Sequence, residues 1–137
     1  MNASVPAAPV AAAAQILIVD DELDNRELLQ IVLKWQGFVT RTAANGEEAL
    51  LSAVRQPPAL ILVDLMMPGI DGYQLTASLK RDPRTKHIPV IMVSAMNDSA
   101  TRKRALSAGA DAYLTKPIDR SELCEQVRSI LGLEARA

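Results

Sequence analysis

The chain has 137 residues, 49% of them hydrophobic, with 15 basic against 16 acidic side chains and a formal net charge of -1. That length supports one globular core and little more, and the near-zero charge excludes a surface built mainly to hold nucleic acid, which needs a concentrated basic face. A single cysteine, Cys124, excludes an internal disulfide, and no apolar run approaches the roughly 18 to 20 residues that span a bilayer.

In chain order, residues 1–14, "MNASVPAAPVAAAA", are uncharged and rich in alanine and proline. They show no periodic apolar face and are expected to form a flexible tail; the basic start and leucine-rich centre of an export signal are missing. "ILIV", Ile16 to Val19, predicts a strand. A helix follows, with Leu28 and Val32 at i and i+4, Trp35 expected to pack near its end, and Gly37 as its stop. "FVTRTA", Phe38 to Ala43, predicts a second strand, before a helix carrying Leu50 and Val54. "ALILV", Ala59 to Val63, is the third strand, and the next helix carries Leu75 and Leu79 and closes at Pro83. "PVIMVS", Pro89 to Ser94, is the fourth strand. The helix after it, "NDSATRKRALSAG", has Leu106 as its only large aliphatic residue and ends at Gly109. "DAYLT", Asp111 to Thr115, is the fifth strand, and a last helix is lined by Cys124, Val127 and Leu131 and stopped by Gly132.

The first, third and fourth strands are apolar on both faces, the pattern of parallel strands covered on two sides. Five βα units joined by right-handed crossovers make an α/β domain over residues 15–133, with residues 134–137 as a short C-terminal tail. Its sheet is predicted to be five-stranded, parallel and doubly wound, (βα)5, in the flavodoxin-like order 2-1-3-4-5. Ligands in such sheets bind in the crevice outside the carboxyl ends of the strands.

At those ends stand Asp20 and Asp21 after the first strand, Asp64 after the third, Ser94 closing the fourth and Lys116 after the fifth. Strands one and three are neighbours in this order, so three carboxylates converge and repel one another unless a cation neutralises them. Mg2+ takes oxygen ligands and is commonly held by one or two carboxylates plus phosphate oxygens. Lys116 adds a compact positive charge and Ser94 a hydroxyl able to bind an anion. Neither a G-x-x-x-x-G-K-[ST] loop nor a G-x-G-x-x-G turn is present, which removes the usual nucleotide cradles. A carboxylate can itself be the nucleophile in phosphoryl transfer, and Asp64 is the candidate.

These residues closely resemble the receiver domain of bacterial two-component response regulators, of the chemotaxis-regulator type, over roughly residues 15 to 133. The motifs are "ILIVDDE", "LVDLMMPGIDG", "VIMVSA" and "GADAYLTKPI". Between the key residues, 43 positions separate Asp21 from Asp64, 30 separate Asp64 from Ser94 and 22 separate Ser94 from Lys116. The resemblance implies that Asp64 accepts a phosphoryl group from a phosphohistidine on a sensor histidine kinase or phosphotransfer protein. It implies Mg2+ held by Asp21, Asp64 and the Met66 backbone carbonyl, with Asp20 acting through water, and phosphoryl oxygens bound by Ser94 and Lys116. It also implies a cis Lys116-Pro117 bond, and a switch in which Ser94 is drawn toward the phosphoryl group while Tyr113 swings inward.

The helix holding Leu106 buries little apolar area, so it should move cheaply. The surface from that fourth helix through the fifth strand to the last helix is the expected docking face for a downstream protein target, with no direct binding of nucleic acid or membrane. Met66 and Met96 occupy the positions two residues past Asp64 and Ser94; neither can orient a water, so slow self-dephosphorylation is expected. A Mg2+-dependent phosphatase with an aspartyl nucleophile would need a second carboxylate where Met66 stands. A pseudo-receiver that is never phosphorylated would lack an acidic residue or the lysine, and all are present. Catalysis on a separate substrate is therefore not expected, and a cytoplasmic place is.

Taken alone, Asp71 reads as a turn or N-cap residue, His87 as a surface loop residue, Cys124 as a buried hydrophobe and "TRKR", Thr101 to Arg104, as a solvated face. The sequence ends a few residues past the last helix with no DNA-binding, cyclase or kinase module. It is expected to be either a stand-alone receiver acting by protein contact or a part of something longer.

Overall fold

The computed structural model describes residues 14–133; the tails expected at 1–14 and 134–137 lie outside them except for Ala14. Five strands alternate with five helices: β1 (Gln15–Val19), α1 (Leu23–Trp35), β2 (Val39–Ala43), α2 (Gly46–Arg55), β3 (Leu60–Asp64), α3 (Gly72–Arg81), β4 (Val90–Ser94), α4 (Ser99–Ala108), β5 (Ala112–Thr115) and α5 (Arg120–Ile130). All strand pairs are parallel, in the order β2-β1-β3-β4-β5. The predicted doubly wound sheet is the observed one.

The three central strands are the apolar ones because both of their faces are covered. Ile16 and Ile18 of β1, Leu60 and Leu62 of β3 and Ile91 and Val93 of β4 pack beneath α1 and α5. Leu17, Val19, Ile61, Val63 and Val90 point the other way, toward α2 and α3. A smaller cluster of Leu65, Met92, Ala105, Ala110 and Tyr113 lies under α4. The alternation along each strand is the two-residue period of the pleat, and burial of both sets removes any polar face.

Several packing expectations are corrected. On α1 the buried residues are Leu29, Val32 and Leu33, while Leu28 is 59% exposed and Trp35 is 81% exposed. At 100° per residue, Trp35 falls off the arc that Leu29 and Leu33 define, so the helix ends with its largest side chain in water. On α2 it is Ala49 and Ala53 that are buried, with Leu50 and Val54 half-buried beside them. Small residues there let the helix approach the sheet closely. On α5 the buried positions are Leu123 and Val127, and Cys124 is only half-buried. Leu75 and Leu79 of α3 are buried as predicted.

Helix ends follow local chemistry. Asn45, Asp71, Asp98 and Asp119 each accept a backbone N–H from the first turn of their helix, and Asp71 with Gln74 forms a reciprocal capping box. Gly109 stops α4 at φ 114°, a left-handed conformation that glycine adopts without steric cost. Among the described residues no helix is long and apolar enough to cross a membrane.

Candidate phosphoryl site at the carboxyl end of the sheet

Asp20 directly follows β1 and is 2% exposed. Its Oδ1 accepts the Glu22 N–H at 2.9 Å, and its carbonyl accepts a bond from Arg26 Nη1 at 2.8 Å. The carboxylate is thus fixed from its own loop and its backbone from α1. Asp21, next in the chain, is exposed.

Asp64 is the last residue of β3, one position further along the strand than the predicted end at Val63, and it is 7% exposed. The chain leaves the strand under tight restraint: the Leu65 N–H donates to the Val93 carbonyl at 2.9 Å and the Gly72 N–H to the Leu65 carbonyl at 2.9 Å. A Cβ at Gly72 would stand 2.7 Å from Leu65 Cα and 2.8 Å from the Asp64 carbonyl oxygen. Only glycine lets the start of α3 abut the end of β3 there.

Ser94 closes β4, fully buried, its Oγ accepting the Met96 N–H at 3.1 Å. The Lys116 N–H donates to the Ser94 carbonyl at 2.8 Å, which ties the end of β5 to the end of β4. Lys116-Pro117 is cis, as the family resemblance implied. Lys116 Nζ donates to Asp64 Oδ1 at 3.1 Å and lies 3.9 Å from Asp20 Oδ2.

Carboxylate oxygens of Asp20, Asp21 and Asp64 lie within 4.8 Å of one another. Burial pushes the Asp64 carboxyl above the ordinary range; the Lys116 charge and its hydrogen bond pull it down, and the Asp20 and Asp21 charges push it up. The three carboxylates are crowded, hard oxygen donors with one lysine between them, a donor set that fits Mg2+.

Met66 and Met96 flank the mouth, 65% and 47% exposed. Tyr113 is already inward, 7% exposed, and its hydroxyl donates to the Met96 carbonyl. Asp71 stays out of the cluster as the α3 cap, and His87 is an exposed loop residue. Sequence reasoning missed the arginine contacts of α4: Arg102 lies 5.0 Å over the Tyr113 ring and Arg104 lies 4.0 Å over the Tyr73 ring. "TRKR" is therefore not only a solvated face. Its stacking partners sit on α3 and β5, so no local pattern could announce them.

The model of the response regulator receiver domain matches residues 16–128, and the chain belongs to that family. Over 118 residues it is 43% identical to the response regulator PleD of Caulobacter vibrioides, an alignment covering 86% of this chain and 26% of PleD. The chain thus spans about a quarter of that relative's length. Among solved structures, the signal receiver domain of a signal transduction histidine kinase from Syntrophus aciditrophicus superposes with a TM-score of 0.82 at 36% identity, over 91% of this chain and 96% of that one. The receiver domain of the sensor histidine kinase PA1611 from Pseudomonas aeruginosa, with a magnesium ion coordinated in its active-site cleft, gives 0.81 at 31% identity, over 87% and 98%.

Proposed function

We propose that Asp64 is the phosphoacceptor of this receiver domain and that residues 15–133 form the signalling unit. The observation that carries the reading is the placement of a buried carboxylate, Asp64, between a lysine at 3.1 Å and two further carboxylates. A carboxylate oxygen of Asp64 attacks the phosphorus of a phosphohistidine on a sensor histidine kinase or phosphotransfer protein. The P–N bond breaks, its electron pair returns to the imidazole, and an aspartyl-phosphate forms. Lys116 and the Ser94 hydroxyl bind the phosphoryl oxygens, and the lysine offsets charge that develops on them.

Asp21, Asp64 and the Met66 backbone carbonyl would hold Mg2+, with Asp20 acting through water. The ion would neutralise charge on the transferring group, as fits the magnesium in the PA1611 receiver. The outcome is a change in the docking of a downstream protein on α4, β5 and α5, in the cytoplasm, with no turnover of a separate substrate.

Intact mass after incubation with acetyl phosphate and Mg2+ tests the assignment. An adduct of about 80 Da, one phosphoryl group, is expected on the wild type and absent from Asp64→Asn. Equal adducts on both proteins would overturn it.

A further inference from the structure

The outer face of α1 carries a row of apolar side chains in water: Leu28, Ile31 and Trp35 are each more than half exposed. At helical spacing the three fall within roughly 60° of arc, a single line along the helix. With Leu23 at the head of α1 and Val39 just past its end, residues 23–39 hold five of the nine large apolar side chains exposed among the described residues. A contiguous apolar row of this kind marks an interaction surface.

The charges beside the row identify what covers it. Glu27 and Lys34 are exposed, and neither enters an ion pair among the described residues. They stand seven residues apart on α1. Two helical turns put them on the same side, roughly 20° apart around the axis and about 10 Å apart along it. A pair within the helix needs a spacing of three or four residues, so these two charges cannot satisfy each other.

Leu28 and Trp35 share the seven-residue spacing, so a charged row and an apolar row run side by side, and both are centred next to Ile31. Turned end for end about a two-fold axis near Ile31, α1 is therefore its own complement. Leu28 meets Trp35, Ile31 meets Ile31 and Glu27 meets Lys34, and symmetry repeats the ion pair on the far side of the axis. A parallel arrangement would set Glu27 against Glu27 and Lys34 against Lys34, and like charges so placed repel. Asp24, exposed one turn before Leu28, and the turn at Gly37 bound the row at its two ends.

We propose that α1 is a self-association surface, on which a second copy of the chain docks antiparallel about a two-fold axis at Ile31. One helix face per copy buries less than the roughly 1,200 Å2 at the lower limit of stable interfaces, so the dimer is transient and fills with concentration. The contact uses no residue of the phosphoryl site and goes beyond the phosphoacceptor reading.

Sedimentation velocity of the full chain over a wide concentration range tests this on the wild type, Glu27→Lys, Lys34→Glu and the double exchange Glu27→Lys/Lys34→Glu. Each exchange replaces one exposed charge on the helix surface by another, so the fold stays intact. Wild type is expected to pass from monomer to dimer as concentration rises. The emission of Trp35, the one tryptophan of the sequence, should shift to the blue along the same curve. Either single exchange turns both symmetric attractions into repulsions and should weaken association about tenfold or more. The double exchange should restore it. So should an equimolar mixture of the two single variants, whose heterodimer sets a wholly basic row against a wholly acidic one. A wild type that stays monomeric throughout would overturn the proposal, as would dimerisation that leaves the Trp35 emission unmoved. Association that the single exchanges leave unchanged overturns it by assigning the dimer to another face. A loss that the double exchange or the mixture fails to restore overturns the antiparallel pairing.

Discussion

Lys116 donates to Asp64 Oδ1 at 3.1 Å while remaining 3.9 Å from Asp20. One ammonium therefore serves two buried carboxylates, and Asp64 holds the closer contact. Burial raises the Asp64 carboxyl and Lys116 is the largest influence opposing it. Lys116→Met should move the Asp64 carboxyl still higher, so the nucleophilic anion appears only at higher pH than in the wild type. A carboxyl carbon titration in metal-free protein measures this, and an unchanged or lowered midpoint would contradict it.

Gly72 carries the join between β3 and α3. Its replacement by alanine drives a Cβ to 2.7 Å from Leu65 Cα and 2.8 Å from the Asp64 carbonyl oxygen. Backbone rather than a flexible side chain must yield, so a loss of about 3 kcal/mol, the upper end of overpacking costs, is expected in denaturant unfolding. Phosphorylation should slow as well, because the residue displaced is Asp64.

Asp98 caps α4 through the Thr101 N–H at 2.9 Å and accepts the Thr101 hydroxyl at 2.7 Å. Asp98→Ala should lower the denaturant midpoint slightly, because the first turn of α4 loses its side-chain cap. Amide exchange should quicken in the first turn of α4 and leave β1 and β3 unchanged.

In the turn after α3, hydrogen bonds from the Arg84 side chain, then its backbone N–H, pull Asp82 down to about 2. A carboxyl lowered on folding contributes stability that is present above its ordinary value near about 4 and lost as pH falls through the lowered one. Arg84→Ala should therefore match wild type at the acid limit and fall behind as pH rises through that window. Denaturant midpoints across roughly pH 2 to 6 follow the divergence. Both side chains are solvated, so the gap should be small and shrink with salt.

Met66 and Met96, exposed at the mouth, offer no donor or acceptor strong enough to hold an attacking water. Placing asparagine at Met66 and glutamine at Met96 should shorten the aspartyl-phosphate lifetime by roughly tenfold, the effect of about 1.4 kcal/mol from one well-placed hydrogen bond. Loss of the adduct followed by mass measures it.

Most of the fold was legible because its signals are local or combinatorial. Apolar runs with no polar face marked β1, β3 and β4 as central strands, and strand ends put Asp20, Asp21, Asp64, Ser94 and Lys116 on one rim. What stayed hidden was the rotational phase of the helices. Leu28 and Val32 form an apolar pair, yet the structure turns α1 so that Leu29 and Leu33 go inward and Leu28 goes out. An i, i+4 pair fixes a row but not which side of it meets the sheet. The Arg102–Tyr113 and Arg104–Tyr73 stacks were illegible for a different reason, since each joins elements that only the folded chain brings together.

Helix α4 buries only Thr101 and Ala105 and is held instead by its aspartate cap and two arginine–tyrosine stacks. Releasing it uncovers only the small cluster of Leu65, Met92 and Tyr113 beneath it, less apolar surface than the sheet core holds, and apolar exposure is what gives an unfolding step its heat capacity. Detachment of α4 should then follow a less curved van't Hoff line than melting of the sheet beneath it. Temperature separates the two events: on cooling, the hydrophobic contribution to the core fades faster than the grip on α4, which depends less on apolar burial.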